Sequence, residues 1–153
     1  MTEATTLATI KPGDSRSRRY VFDEAAISIF AMGAGDMNPL HHDARIASTS
    51  RFGGIIASGA HMAAVLMGFG ATFVAEHGEA VGLEFTYRFS RAVPAGTETT
   101  LTYTITAVEP HAKLRGTLLS FDGSITDDAG TLYVTTTGKA VIFDTPSSST
   151  SPS

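Results

Sequence analysis

Residues 59–75 constrain the fold of this chain more than any other stretch. The run Gly59-Ala60-His61-Met62-Ala63-Ala64-Val65-Leu66-Met67-Gly68-Phe69-Gly70-Ala71-Thr72-Phe73-Val74-Ala75 contains no Asp, Glu, Lys or Arg. Ser58 precedes it as an N-cap, and Gly78 stops a helix that runs to about Glu76. A helix that is apolar nearly all round needs cover on most of its sides. It falls short of a membrane span and is interrupted by His61, Thr72 and two glycines, so the cover must come from the rest of the chain.

That cover follows at once. After Gly78 the rhythm changes to period two: Leu83, Phe85, Tyr87 and Phe89 alternate with Glu84, Thr86, Arg88 and Ser90, as in a half-buried strand. Leu101, Tyr103 and Ile105 alternate with threonines. Residues 114–125 and 132–143 supply two more strands around the hairpin turn Asp127-Asp128-Ala129-Gly130. One buried helix and four long strands predict an α+β domain, an antiparallel sheet wrapped around a long central helix. Upstream, residues 20–22 read as a short strand. Asp23 then caps a helix with Glu24 in its first turn and Ile27, Phe30, Ala31 and Ala34 on one face. A helical turn over 44–48 and a loop at Phe52-Gly53-Gly54 complete the expectation.

Composition bounds the function. With 153 residues, 42% of them hydrophobic and 17% charged, the chain reads as one globular domain. We expect it over 18–144, between a flexible segment at 1–17 and a disordered Ser/Thr/Pro tail at 145–153. The absence of cysteine excludes disulfides, cysteine–zinc sites and thiol nucleophiles, and fits a cytoplasmic location. Residues 1–9 lack the basic start and apolar run of a secretory signal. A net charge of −4 argues against nucleic acid, so Arg16-Ser17-Arg18-Arg19 reads as a solvated strand edge or tail.

The chemistry concentrates in Gly35-Asp36-Met37-Asn38-Pro39-Leu40-His41. On a continuous helix, side chains five apart point about 140° away from each other. Pro39 breaks the helix and pushes Asn38 out of helical geometry, so a tight loop can fold Asp36 and His41 toward one small volume. A carboxylate beside an imidazole can hold a water or hydroxyl between them and move its protons. Asn38 reads as a turn-closing residue that fixes where Asp36 points, with Pro39 in the same role. His42 is expected to lie exposed beside the site, Asp43 to cap the next turn and His61 to be a core histidine. A calcium loop is rejected because the sixth position lacks glycine and the twelfth, Ala47, is not acidic. The spacing of His41, His42, Asp43 and His61 fits no usual metal-ligand pattern, so no metal is expected.

This run resembles the signature of the MaoC-like dehydratases and the related (R)-specific enoyl-CoA hydratases, Gly-Asp-x-Asn-Pro-x-His followed by an acidic residue. Gly35, Asp36, Asn38, Pro39, His41 and Asp43 meet it, with Gly59 matching the glycine that opens the family's central helix. The resemblance covers residues 20–143 and implies the hot-dog fold. It implies Asp36 and His41 as the catalytic pair, the Gly59 N–H as the oxyanion donor for a thioester carbonyl, and Ser58 as the cap that holds it. The implied reaction is reversible syn addition of water to a 2-enoyl thioester, with no cofactor beyond the coenzyme A or acyl carrier protein that carries the substrate. A homodimer with sheets continuing across the interface is also implied. The chain departs from the pattern at Ser58-Gly59-Ala60, where many hydratases have His-Gly-Met, and at Met67, where some have serine. Both departures bear on substrate choice. Candidate cations for the carrier's phosphates are Arg51, Arg88, Arg91, Lys113 and Arg115. Two rival readings share the fold: a thioesterase attacking C1, and a non-catalytic acyl-binding subunit of a heteromeric dehydratase.

Overall fold

A computed structural model describes residues 9–146, and it wraps a sheet around the apolar helix. Strand β1 is Ser15–Phe22, α1 is Glu24–Gly33, and a 3-10 turn, Pro39–His41, leads to α2, Ala44–Ser48. The central helix α3 is Gly59–Ala75, followed by β2 (Ala80–Phe89), β3 (Thr97–His111), β4 (Gly116–Thr126) and β5 (Leu132–Phe143). The five strands form one antiparallel sheet in the order β1-β3-β4-β5-β2. This is the hot-dog arrangement. The stretch expected to be a lone tail lies outside the described residues except at its start. Among the described residues, no helix is long and apolar enough to cross a membrane.

Helix α3 packs against β2, β3, β4 and β5. Leu66, Phe73 and Val74 are buried under Leu101, Tyr103, Ile105, Phe121 and Val134, the inward residues of the sheet. Close approach depends on Gly70. A Cβ there would lie 2.1 Å from the Tyr103 ring, which is itself stacked on Phe121 with centroids 4.5 Å apart. The glycine costs helix propensity and in exchange lets two large rings fill the middle of the core.

Several expectations need correction. β1 begins at Ser15, Ile10 is buried, and Gly13 N–H donates to the Ile105 carbonyl at 2.8 Å, so the ordered fold starts inside the segment 1–17 expected to be flexible. The basic run, in contrast, lies on β1, an exposed sheet edge, which is the first of its two expected readings, and Arg19 pairs there with Asp128 and Glu98. Leu114 sits in a 3-10 turn (Ala112–Leu114), and Arg115 takes a left-handed φ of 51° before β4 starts. Ala34 is exposed because it caps α1 instead of lying on its inner face. On β2, a bulge between Gly82 and Glu84 breaks the alternation. Leu83, at the bulge, is therefore exposed, while Phe85 and Tyr87 turn inward; Phe89 shares their face, its ring stacked on Tyr87, but stays half-exposed at the end of the strand.

Gly70→Ala tests the central contact. Overpacking against Tyr103 should cost about 1–3 kcal/mol, read as a lower denaturant midpoint with an unchanged slope. A neutral or stabilising effect would mean the helix and sheet can separate freely.

Candidate functional site

The acid is placed by the way α1 ends. Gly35 takes φ +74°, its N–H donates to the Met32 carbonyl at 3.0 Å, and the Asp36 N–H reaches back to Ala31 at 2.8 Å. This pair of bonds is a Schellman stop, which favours glycine at the left-handed position. It leaves Asp36 as the first residue past the helix. Asp36 Oδ1 then accepts from the Asn38 N–H at 3.1 Å, and Asn38 Oδ1 accepts from the Leu40 N–H at 3.1 Å. Pro39 opens the 3-10 turn, where its missing donor costs nothing.

That turn swings His41 inward. It is 5% exposed, and its Nδ1 lies 2.7 Å from the Ile56 carbonyl. A carbonyl can only accept, so Nδ1 carries the hydrogen. Nε2 therefore bears the lone pair of the neutral ring, and it faces Asp36 Oδ2 at 3.4 Å. Two acceptors at that separation need a shared proton, or a water beside the pair that donates to both. The Asp36 side chain is 37% exposed, so the gap opens on one side.

His42 departs from expectation. Its Nε2 lies 2.7 Å from the backbone carbonyl of Asp36, and its Nδ1 2.9 Å from Ser28 Oγ on α1. Nε2–H donates to the carbonyl, and Nδ1 accepts from the Ser28 hydroxyl. His42 is half-buried and clamps the acid's own backbone to α1. Consecutive residues on a tight turn diverge, as expected, but the diverging ring finds partners. Ser28, at polar spacing on an otherwise apolar helix, was the only hint in the sequence.

Ser58 is buried and caps α3 by accepting from the His61 N–H at 3.1 Å. Gly59 is the first helical residue, so its N–H has no intrahelical partner, and none is found among the described residues. The Phe89 ring lies 3.5 Å from where a Gly59 Cβ would stand, a contact that the strand pattern did not reveal. The segment between Ile56 and Gly59 links the two halves of the site: Ile56 C=O holds His41, and Ile56 N–H donates to the Leu40 carbonyl at 3.1 Å. Asp43 caps α2 through the N–H groups of Arg45 and Ile46.

His61 lies in the core. It stacks on Phe30 with centroids 4.6 Å apart, and Tyr20 Oη is 3.2 Å from its Nε2. Its Nδ1 has no partner. Burial lowers its affinity for a proton below the usual histidine range, with His41 acting in the same direction. Of the candidate cations, Arg51 and Arg91 line one open groove together with Ile56. Arg88 is on the outer side of β2, and Lys113 and Arg115 sit beyond the far end of the 15-residue strand β3.

Comparison with known proteins agrees with this architecture. The model of the MaoC like domain matches residues 5–119. No curated protein sequence matches the chain. Among solved structures, the unliganded R-hydratase PhaJ1 from Pseudomonas aeruginosa superposes with TM-score 0.78 at 24% identity, covering 89% of this chain and 84% of that one. The (R)-hydratase from A. caviae involved in PHA biosynthesis gives TM-score 0.77 at 24% identity, over 90% and 99% of the two chains. A MaoC-like dehydratase from Rhodospirillum rubrum gives 0.75 at 27%, over 90% and 95%.

The buried imidazole sets a pH dependence. With the folded-state pKa of His61 depressed from 6.5, the unfolded chain binds more protons below that value. Its contribution is present above pH 6.5 and is lost as pH falls. His61→Gln should flatten the stability–pH slope between pH 7 and 5 in chemical denaturation, and an unaltered slope would show that His61 titrates normally.

Proposed function

The chain belongs to the MaoC-like domain family, and we propose that it is a hydro-lyase that reversibly adds water across a 2-enoyl thioester to give a 3-hydroxyacyl thioester. The observation that carries this reading is the carbonyl lock on His41. With Nδ1–H held by Ile56, only Nε2 can accept a proton, and it lies 3.4 Å from a carboxylate oxygen, so that one water beside the pair can reach both. That water donates one hydrogen toward His41 Nε2 and is polarised by Asp36 Oδ2. As its oxygen bonds to C3, the C2–C3 double bond shifts its electrons toward the thioester, and negative charge builds on the carbonyl oxygen. The Gly59 N–H, at the positive end of α3, stabilises that charge. Collapse of the enolate takes a proton at C2 on the same face, from the pair that accepted the one from water. Atoms balance as enoyl thioester plus water, and dehydration is the reverse path.

A homodimer in the cytoplasm completes the proposal. The free edge of β2 exposes Val81, Leu83 and Phe89, while the adjoining face of α3 exposes Ala60, Ala64, Met67 and Ala71. Pairing β2 with its copy would satisfy the open edge and cover the small-residue face of the helix. Sedimentation should find a dimer at micromolar concentration. A monomer that hydrates substrate at full rate would remove this part of the proposal.

Crotonyl-CoA tests the chemistry. Loss of enoyl absorbance without release of free thiol establishes hydration, whereas thiol release would move the protein to the thioesterases. Asp36→Asn and His41→Ala should each lower turnover by about 100- to 10,000-fold, with the melting temperature little changed. His42→Ala should lower kcat by about tenfold, the loss expected of one well-placed hydrogen bond. His42→Gln, which keeps a donor for the Asp36 carbonyl, should recover part of it. Full activity in either Asp36→Asn or His41→Ala would overturn the assignment.

A further inference from the structure

We propose that His61 is a positioning residue for the catalytic pair: its ring, seated between α3 and α1, sets the gap between Asp36 and His41. This rests on the hydro-lyase reading above and adds to it a residue that touches no reacting atom.

The two members of the pair are carried by different segments. Asp36 follows the stop of α1, and its N–H is bonded to the Ala31 carbonyl. His41 is held through Nδ1 by the Ile56 carbonyl, on the segment that leads into α3. The 3.4 Å between Asp36 Oδ2 and His41 Nε2 therefore depends on how α1 sits against the start of α3. Three histidines close this arrangement, one along each side of a triangle. His42 joins the turn to α1 through Ser28. His41 joins the turn to the segment before α3. His61 supplies the third side, its ring stacked on Phe30 of α1 with centroids 4.6 Å apart and planes 10° from parallel. A frame with two sides fixed can hinge, and the third side makes it rigid. Because Gly59 also stands at the start of α3, the same contact sets the pair against the candidate oxyanion donor.

The ring is fixed in turn from β1. Tyr20 Oη lies 3.2 Å from Nε2, and the Phe22 ring meets the imidazole edge-on with centroids 5.1 Å apart. His61 is 3% exposed, and burial favours its neutral form, so the contact puts no charge beside His41. Histidine is a costly way to fill this space. Its Nδ1 is buried with no hydrogen-bond partner among the described residues, a loss that phenylalanine or leucine would avoid. Core packing alone therefore does not account for an imidazole here. Leucine could not stack on Phe30, and phenylalanine could not bond to Tyr20. The imidazole does both, which fixes the rotation of the ring as well as its depth.

Steady-state kinetics with crotonyl-CoA, together with crystal structures of the variants, tests this role. His61→Leu fills the volume without the flat ring or the bond to Tyr20. It should lower kcat about 10- to 100-fold with KM little changed, the loss expected when a catalytic group is displaced by up to about 1 Å. His61→Phe, which keeps the stack, should recover part of the rate. Tyr20→Phe removes only the bond, at a half-buried position, and should show a smaller loss confined to kcat. Phe30→Leu combined with His61→Leu should lose no more than the larger single effect, because both remove the same contact. A mere core filler behaves differently: its variants melt earlier but turn over at the wild-type rate while folded. That result overturns the proposal, as does a loss carried by KM. In the His61→Leu structure the distance from Asp36 Oδ2 to His41 Nε2 should exceed 3.4 Å while the bond from His41 to Ile56 persists. An unchanged distance also overturns the proposal. If His61→Leu does not fold, Tyr20→Phe decides by the same two readouts. If the wild type turns over no enoyl thioester, the hydro-lyase reading fails, and the crystallographic distance alone decides whether His61 sets the gap.

Discussion

The close contact between α3 and the sheet is the constraint on which the rest of the structure depends. A helix with almost no polar face cannot be left in water, and the chain spends four strands covering it. Gly70 sets the depth of that contact, because any Cβ there would run into the Tyr103 ring. Depth matters beyond stability, because the start of α3 is where the candidate oxyanion donor lies. Ser58, Gly59 and the Ile56 carbonyl are carried on one short segment whose position is set by how α3 docks. That segment is also pinned to the strand side: Ala57 N–H donates to Val93 at 2.9 Å, and Ala95 N–H to Ile55 at 2.9 Å. Packing of the core thus fixes the reference frame for the chemistry.

Within that frame, the two histidines of the turn do different work with similar bonds. Each uses one ring nitrogen as a donor to a backbone carbonyl. For His41 the bond fixes the tautomer and leaves the other nitrogen free toward Asp36. For His42 the second nitrogen is taken up by Ser28, so it has no lone pair to offer a substrate. Its contact is with the backbone of Asp36, which it holds against α1. The acid is consequently restrained at three points: the helix stop behind it, the Asn38 N–H on its carboxylate, and the His42 ring on its carbonyl. Each bond is worth only about 1 kcal/mol. Their value is in removing the freedom that a loop residue otherwise keeps.

Much of this was legible in the sequence because it rests on local rules. The caps Asp23, Asn38, Asp43 and Ser58 each accept the backbone hydrogen bonds that their residue types suggest. The alternation Leu101, Tyr103, Ile105 gives the buried face of β3 directly. What the sequence hid is non-local. The exposure of Leu83 follows from a bulge in the pairing of β2 with β5, which a single strand's pattern cannot announce. The β1 residues Ser15, Arg16 and Ser17 look like a tail because an edge strand with exposed polar side chains has no hydrophobic period to read. Likewise, the bond from His42 to Ser28 joins positions on two elements whose angle is set by the Schellman stop, and neither residue type demands the other.

The same distinction explains why Arg51 and Arg91 separate from the other cations only in three dimensions. In sequence, Arg51, Arg88, Arg91, Lys113 and Arg115 are alike, each an exposed base in polar surroundings. Folding sorts them by strand direction. Arg88 follows Tyr87, so alternation sends it to the outer face of β2, while Arg91 falls after the strand has ended and the chain turns back toward Ile56. Lys113 and Arg115 are carried away by the length of β3.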